Sequence, residues 1–179
     1  MLRSGPVGVK WKEVTDVTYF LSLGGNLGNR AKNLAAAARL LCENGIEILR
    51  ASSVYETEPV DVPDQPWFLN QVLEVRSVLD PASLLRLAKS IEAGMKRVPT
   101  AAKGPRTIDI DILLAGDFVF ATPDLVIPHP RLAQRNFVLV PLAEIAPETR
   151  HPVLGKTVRE LAADSSDRSR VIAKRRFGS

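Results

Sequence analysis

Apolar positions along the chain alternate between strand-like and helix-like spacing. Val17–Gly24 (VTYFLSLG) is a nearly continuous apolar run that stops at a glycine-rich turn, the pattern of a buried strand. From about Asn29 to Cys42, Leu34, Ala37, Ala38 and Leu41 recur at helical spacing, and Asn44-Gly45 supplies a stop. Ile46 to Tyr55 and Trp67 to Val78 read as extended, and the proline-rich segment ETEPVDVPDQP lies between them. Asp80-Pro81 is a helix cap followed by proline at the first helical position. Leu84, Leu87, Ala88, Ile91 and Met95 form the stripe of a second helix, expected to reach about Arg97. An irregular loop, VPTAAK, leads into a strand within GPRTIDIDILL (Gly104–Leu114). Beyond it come a hairpin around Gly116-Asp117, the turn IPHPRLAQRNF, a short helix over Phe137 to Ile145 and another in HPVLGKTVRELAA.

The order strand, helix, strand, strand, helix, strand predicts an α+β fold. It is the ferredoxin-like β-α-β-β-α-β core: a mainly antiparallel sheet with helices on one face, followed here by extra C-terminal elements. Residues 1–16 are expected to form a loose extension, 17–163 a single domain and 164–179 a basic, solvated tail.

One strand carries a conflict. Ile108, Ile110, Ile112, Leu113 and Leu114 belong in a core, yet Asp109 and Asp111 stand among them, and an unpaired buried carboxylate is very unfavourable. Alternation resolves it. Thr107, Asp109 and Asp111 share one face and the isoleucines the other. The two acids lie ~6.5–7 Å apart at their Cα atoms, from two residues of strand rise. Magnesium takes one or two carboxylates, several waters and substrate phosphates, so the pair suits a metal–phosphate clamp. Arg97, Arg106, His129, Arg131 and Arg135 surround it in sequence, and cations beside carboxylates fit phosphate oxygens shared with a metal. Arg106 has the parity of the isoleucines and needs a bend at Gly104-Pro105 to reach the acids.

Composition narrows the partners. The chain has 179 residues and a net charge of 24 − 20 = +4, with five basic residues (Arg168, Arg170, Lys174, Arg175 and Arg176) in the tail, so the body is close to neutral. That weakens a nucleic-acid reading. A single cysteine excludes an internal disulfide and a cysteine-rich zinc site. Neither a membrane span nor a secretory signal is evident, and a cytoplasmic protein is expected. The turn GGNLGN lacks the dinucleotide spacing; it serves either as an anion cradle at a helix start or as a simple strand-to-helix turn.

In order, the blocks SLGGNLGNR, SSVYETEP, DQPWFLNQV, GPRTIDIDILL and PHPRLAQRNFVLVPLAEIAP resemble the 6-hydroxymethyl-7,8-dihydropterin pyrophosphokinase family over about Tyr19 to Pro147. The resemblance implies transfer of the terminal two phosphates of ATP to the pterin's hydroxymethyl group, releasing AMP, with two Mg2+ ions on the triphosphate. It also implies a monomeric, stand-alone enzyme. Asp109 and Asp111 match the family's metal-binding acids. Phe68 and Phe137 match the aromatic pair that sandwiches the pterin, with Asn70 as its hydrogen-bonding partner and Thr57, Glu58 and Val60 along its edge. Arg97, Arg106, Ile112, His129 and Arg135 match positions around ATP, and Glu92 matches a family acid for which the sequence offers no role. Phe68 and Asn70, two apart on an extended segment, point to one side.

The chain departs from the pattern in two places. Gly25 replaces the family's usual serine, a change expected to be harmless. VPTAAK has no aromatic, with Pro99 and Lys103 where the family places an arginine and an aromatic, so looser closure over the substrates is expected. Taken without the resemblance, the acid pair also allows a magnesium-dependent phosphohydrolase. The topology also allows an RNA-recognition module, although such modules carry aromatics and basic residues on their central strands rather than acids. His129 is a general base by residue type only.

Overall fold

The computed structural model describes residues 16–60, 64–95 and 104–174. The chain runs β1 (Val17–Gly25), α1 (Arg30–Glu43), β2 (Glu47–Ala51), β3 (Tyr55–Thr57), β4 (Phe68–Ser77), α2 (Pro81–Gly94), β5 (Asp109–Ala115), β6 (Phe120–Ala121), β7 (Val126–Ile127), α3 (Asn136–Ile145), α4 (Val158–Ala163) and β8 (Val171–Ala173). The main sheet has the order β5-β1-β4-β3-β8, and β2 also pairs with β4. Every pairing in it is antiparallel. The first strand of each half lies at the centre and the last at the rim, which is the ferredoxin-like arrangement with its second strand split into β2 and β3.

Local chemistry sets the helix ends. The Asn29 side chain accepts from the Lys32 amide and starts α1, and Asp80 accepts from the Ser83 amide ahead of Pro81 in α2. Leu34, Ala37 and Leu41 of α1 and Leu84, Ala88 and Ile91 of α2 are buried against one face of the sheet. That face is made of Tyr19, Leu21 and Leu23 of β1, Leu69, Leu73 and Val75 of β4, and Ile108, Ile110 and Ile112. The second helix ends at Gly94, and Arg97 lies outside the described residues.

The opposite face is divided. Phe20, Val72, Leu113 and Leu114 are covered by Leu132 and by Val138, Leu139 and Leu142 of α3, with Val158 and Leu161 of α4 behind them. A bulge makes this possible. Phe20 pairs with Leu114 while Leu21 pairs with Ile112, so Leu113 is an extra residue in β5. Alternation resets there, and Leu113 and Leu114 both reach the α3 side. The other half of this face, from Ser22 and Gly24 across Asn70 to Asp109 and Asp111, stays open.

Two expectations are corrected. The chain turns at Gly116, but the hairpin is β6–β7, closed where the Thr122 amide donates to the Leu125 carbonyl. The tail is not simply solvated, because β8 adds to the exposed edge of β3 with Thr57 opposite Val171 and Tyr55 opposite Ala173. Backbone groups on a strand edge seek partners whatever the side-chain charge. No described helix is long and apolar enough to cross a membrane.

Candidate functional site

A cavity of about 450 Å³ opens on the uncovered half of the sheet. Ser22, Gly24, Thr57, Glu58, Val60, Gln65, Phe68, Asn70, Arg106, Asp109, Asp111 and His129 to Arg131 line it, with Arg135 and Phe137. It thus brings together the acids, the aromatic pair, the amide and three of the expected phosphate-side residues. Arg97 lies outside the described residues, as do Pro99 and Lys103. Ile112 does not line the cavity, and its side chain is 2% exposed in the isoleucine core. Its parity dictates this, so an ATP contact there is limited to the backbone.

Asn70 lies on β4 beside Gly24 of β1. Its Nδ2 donates to Thr57 Oγ1 at 2.6 Å, which fixes the amide and leaves Oδ1 on the Gly24 side. A Cβ at Gly24 would stand 2.4 Å from that Oδ1, so only glycine admits the amide here. Phe68 and Phe137 are half-buried, each with an arginine guanidinium near its ring: Arg106 at 5.5 Å and Arg135 at 5.3 Å. Neither ring is fully packed away, so flat apolar surface remains for a planar ligand.

The acid pair is built on an edge strand. β5 pairs only with β1, and the outward Ile110 amide donates to Glu92 Oε1 of α2 at 2.8 Å. Glu92 is buried and also accepts from Lys89 Nζ at 3.1 Å. This supplies the role that the sequence lacked: Glu92 anchors the strand carrying both acids, from the face opposite them. We expect Glu92→Ala to lower stability by roughly 1–3 kcal/mol in urea unfolding, because it strands a buried N–H. Glu92→Gln, which keeps an acceptor, should recover most of that loss. Equal stability of the two variants would remove this role from Glu92.

Arg106 reaches the acid face and donates from Nη1 to Asp109 Oδ2 at 2.7 Å. The strand begins only at Asp109 and the chain bends at Thr107, so the break in parity falls later than Gly104-Pro105. Among the described residues Arg106 Nε is buried with no hydrogen-bond partner, a donor suited to an anion in the cavity. Burial, and then the charge of Asp109, raises the Asp111 carboxyl to about 6. Two crowded carboxylates of this kind favour a cation between them and a ligand. Among the described residues no third His, Cys, Asp or Glu joins them, which fits a hard ion completed by water and phosphate oxygens.

His129 is tied to the bulge, its amide donating to the Leu113 carbonyl at 2.9 Å. Its Nδ1 accepts from the Arg131 amide at 3.2 Å, which leaves the proton on Nε2. Burial, with Arg135 and Arg131 nearby, lowers its pKa, so it is neutral near pH 7. Held this way its Nε2–H is suited to an anion, and Nδ1, already accepting from a backbone amide, is not free to act as a base.

Sequence reasoning missed Asn26. This buried amide donates to Gln65 Oε1 and to the Pro66 carbonyl, and its Oδ1 accepts from the Arg106 amide. It therefore joins the turn after β1, the loop before β4 and the approach to β5. The GGNLGN turn is accordingly a brace, and Asn26 to Asn29 do not line the cavity. At Gly25 the backbone itself leaves no room for a side chain, since a Cβ there would stand 2.3 Å from the Thr107 carbonyl oxygen. The only hint in the sequence was an amide enclosed between glycines.

The family model described as 7,8-dihydro-6-hydroxymethylpterin-pyrophosphokinase (HPPK) matches residues 20–147. The folic acid synthesis protein fol1 of Pneumocystis carinii is 42% identical over 145 residues, which is 81% of this chain and 20% of that protein. The chain thus spans about a fifth of the length of that relative. The 2-amino-4-hydroxy-6-hydroxymethyldihydropteridine pyrophosphokinase of Methylorubrum extorquens is 43% identical over 145 residues, covering 80% of this chain and 90% of that protein. Its Bacillus subtilis namesake is 42% identical over 127 residues, or 70% of this chain and 76% of that one. Among solved structures, Plasmodium falciparum HPPK-DHPS with SDX-DHP superposes with a TM-score of 0.65 at 23% identity, over 82% of this chain and 43% of that one, a likeness of fold.

Proposed function

The chain belongs to the 7,8-dihydro-6-hydroxymethylpterin-pyrophosphokinase family, and from that premise we propose that it transfers pyrophosphate from ATP to the hydroxymethyl group of 6-hydroxymethyl-7,8-dihydropterin in folate synthesis. The observation that carries this is a single cavity holding a fixed amide and two half-exposed aromatic rings at one side, and an acid pair with cations at the other. The flat, edge-polar pterin suits the first set and a metal-bound triphosphate the second.

Phe68 and Phe137 hold the ring between them, and Asn70 with the Thr57–Val60 segment reads its edge. Asp109 and Asp111 would hold Mg2+, two ions in our reading, and the bound metal would neutralise phosphate charge and make the β-phosphorus more electrophilic. Arg106 turns from Asp109 to a phosphate oxygen, and its buried Nε gains a partner. Arg135 and neutral His129 donate to the remaining oxygens, and Arg97 is assigned to the same group by resemblance. The pterin hydroxyl oxygen then bonds to the β-phosphorus, the bridge to the α-phosphate breaks, AMP leaves and the hydroxyl proton is lost. The barrier falls through positioning and charge stabilisation, without a protein nucleophile. A monomeric, cytoplasmic enzyme is part of this proposal.

AMP release from Mg-ATP should depend on added 6-hydroxymethyl-7,8-dihydropterin and should collapse in Asp109→Ala. Release that ignores the pterin in the wild type would instead indicate a phosphohydrolase.

A further inference from the structure

Residues 164–174 lie beyond the part of the chain that the family model matches, and they touch both walls of the cavity. On one side, the Glu58 amide donates to the Arg170 carbonyl at 3.2 Å. The Arg170 amide and Nε return bonds to the two Glu58 carboxylate oxygens at 2.7 and 2.9 Å. The same guanidinium lies 4.7 Å from the centre of the Trp67 ring, next in the chain to Phe68. Lys174 extends this anchor, its amide donating to the Val54 carbonyl and its Nζ pairing with Glu56. On the other side, Asp167 Oδ2 accepts from the Asn136 amide at 2.7 Å, while Asn136 Nδ2 donates to the Asp167 carbonyl. Asn136 sits between Arg135 and Phe137 and begins α3, which has no side-chain cap of its own from Arg135. Asp167 supplies that cap from outside the helix.

A short segment thus joins the Phe68 wall to the Phe137 wall without itself lining the cavity. Three carboxylates at these contacts, Glu58, Asp167 and Glu56, are each held by two donors, the geometry of a fixed joint. We propose that residues 164–174 form a strap that sets the spacing of the two aromatic walls, and so the affinity for the flat ring, without contacting it. The proposal rests on the pterin reading of the cavity. Arg170 and Asp167 are its positioning residues. The acid pair and the loop at His129 are held by other bonds, through Glu92 and Leu113, and of the phosphate-side groups only Arg135 adjoins the strap, so ATP binding depends on it less than pterin binding does.

The test compares wild type with Asp167→Ala/Arg170→Leu, which cuts both anchors and keeps the β8 backbone. Calorimetry with 6-hydroxymethylpterin, in Mg2+ and a non-hydrolysable ATP analogue, should give a pterin Kd raised roughly tenfold or more in the variant, as expected for loss of charge-assisted bonds. The Kd of the ATP analogue should change by no more than about threefold, since only Arg135 among its expected contacts adjoins the strap. Circular dichroism confirms that the variant is folded; should it not be, Arg170→Leu alone carries the comparison with a smaller shift in the same direction. An unchanged pterin Kd in a folded variant overturns the strap, and so does equal weakening of both ligands, which is general loosening. A wild type that binds no pterin overturns the parent reading and the strap with it, an outcome distinct from the other two.

Discussion

Asp111→Asn should abolish pterin-dependent AMP formation while making the metal-free protein more stable. Removing one of two carboxylates from a metal–triphosphate site should lower turnover by about a thousandfold or more, the scale seen when one preorganised charge contact is lost. The stability gain follows from the pKa. The carboxyl is pushed up to about 6 in the folded protein, by burial first and by Asp109 second, against 3.8 for an ordinary aspartate. The unfolded chain therefore releases this proton more readily, and ionised Asp111 opposes folding at neutral pH. That destabilisation is absent below about pH 4, grows as the pH rises towards 6 and is complete above it. Two pKa units correspond to about 3 kcal/mol, an upper bound because Asp109 shares the proton. In Mg2+-free buffer at pH 8, Asp111→Asn should raise Tm by a few degrees, and the gap should close by about pH 4. A variant no more stable than wild type at pH 8 would mean that Asp111 is already relieved by another cation.

Gly24→Ala should act on the opposite end of the cavity. The new Cβ would meet Asn70 Oδ1 at 2.4 Å and its Cγ at 3.5 Å. Asn70 cannot turn aside freely, because its Nδ2 is bound to Thr57 in a buried site. The expected result is a loss of about 1–3 kcal/mol in stability, the range for overpacking. KM for the pterin should rise about ten- to a hundredfold, with KM for ATP little changed, since a directed amide contact contributes roughly this much. A double variant separates strain from recognition. Gly24→Ala/Asn70→Ala should regain stability over Gly24→Ala alone and should not regain pterin binding. If pterin KM is unaffected in Gly24→Ala, Asn70 is not the group that reads the ring.

How much of this could be read from the sequence depends on whether the determining signal is local. Period-two alternation in GPRTIDIDILL placed Asp109 and Asp111 opposite the isoleucines, and the same rule put Phe68 and Asn70 on one side of β4. The helix cap at Asp80 was visible because capping needs only neighbouring residues. The bulge at Leu113 was not visible: it arises from how β5 registers on β1, a non-local pairing, and it decides where the open face ends. Nor was the strap, whose basic residues looked like a solvated run until Glu58, Glu56 and Trp67 were seen beside them. The expected effect of the VPTAAK loop falls on residues outside those described.

The edge position of β5 has a consequence for solubility. Five of the seven residues in Asp109–Ala115 are apolar, and among the described residues the strand has a strand partner on only one side. A run of this kind at a sheet edge is a template for another chain, and uncontrolled strand addition is how aggregates begin. Glu92 occupies one outward amide, and Asp109 and Asp111 place two like charges where a second copy would have to align its own. The acids that suit the strand to a triphosphate therefore also protect it from self-association, so that loss of charge there would endanger the soluble state as well as the reaction.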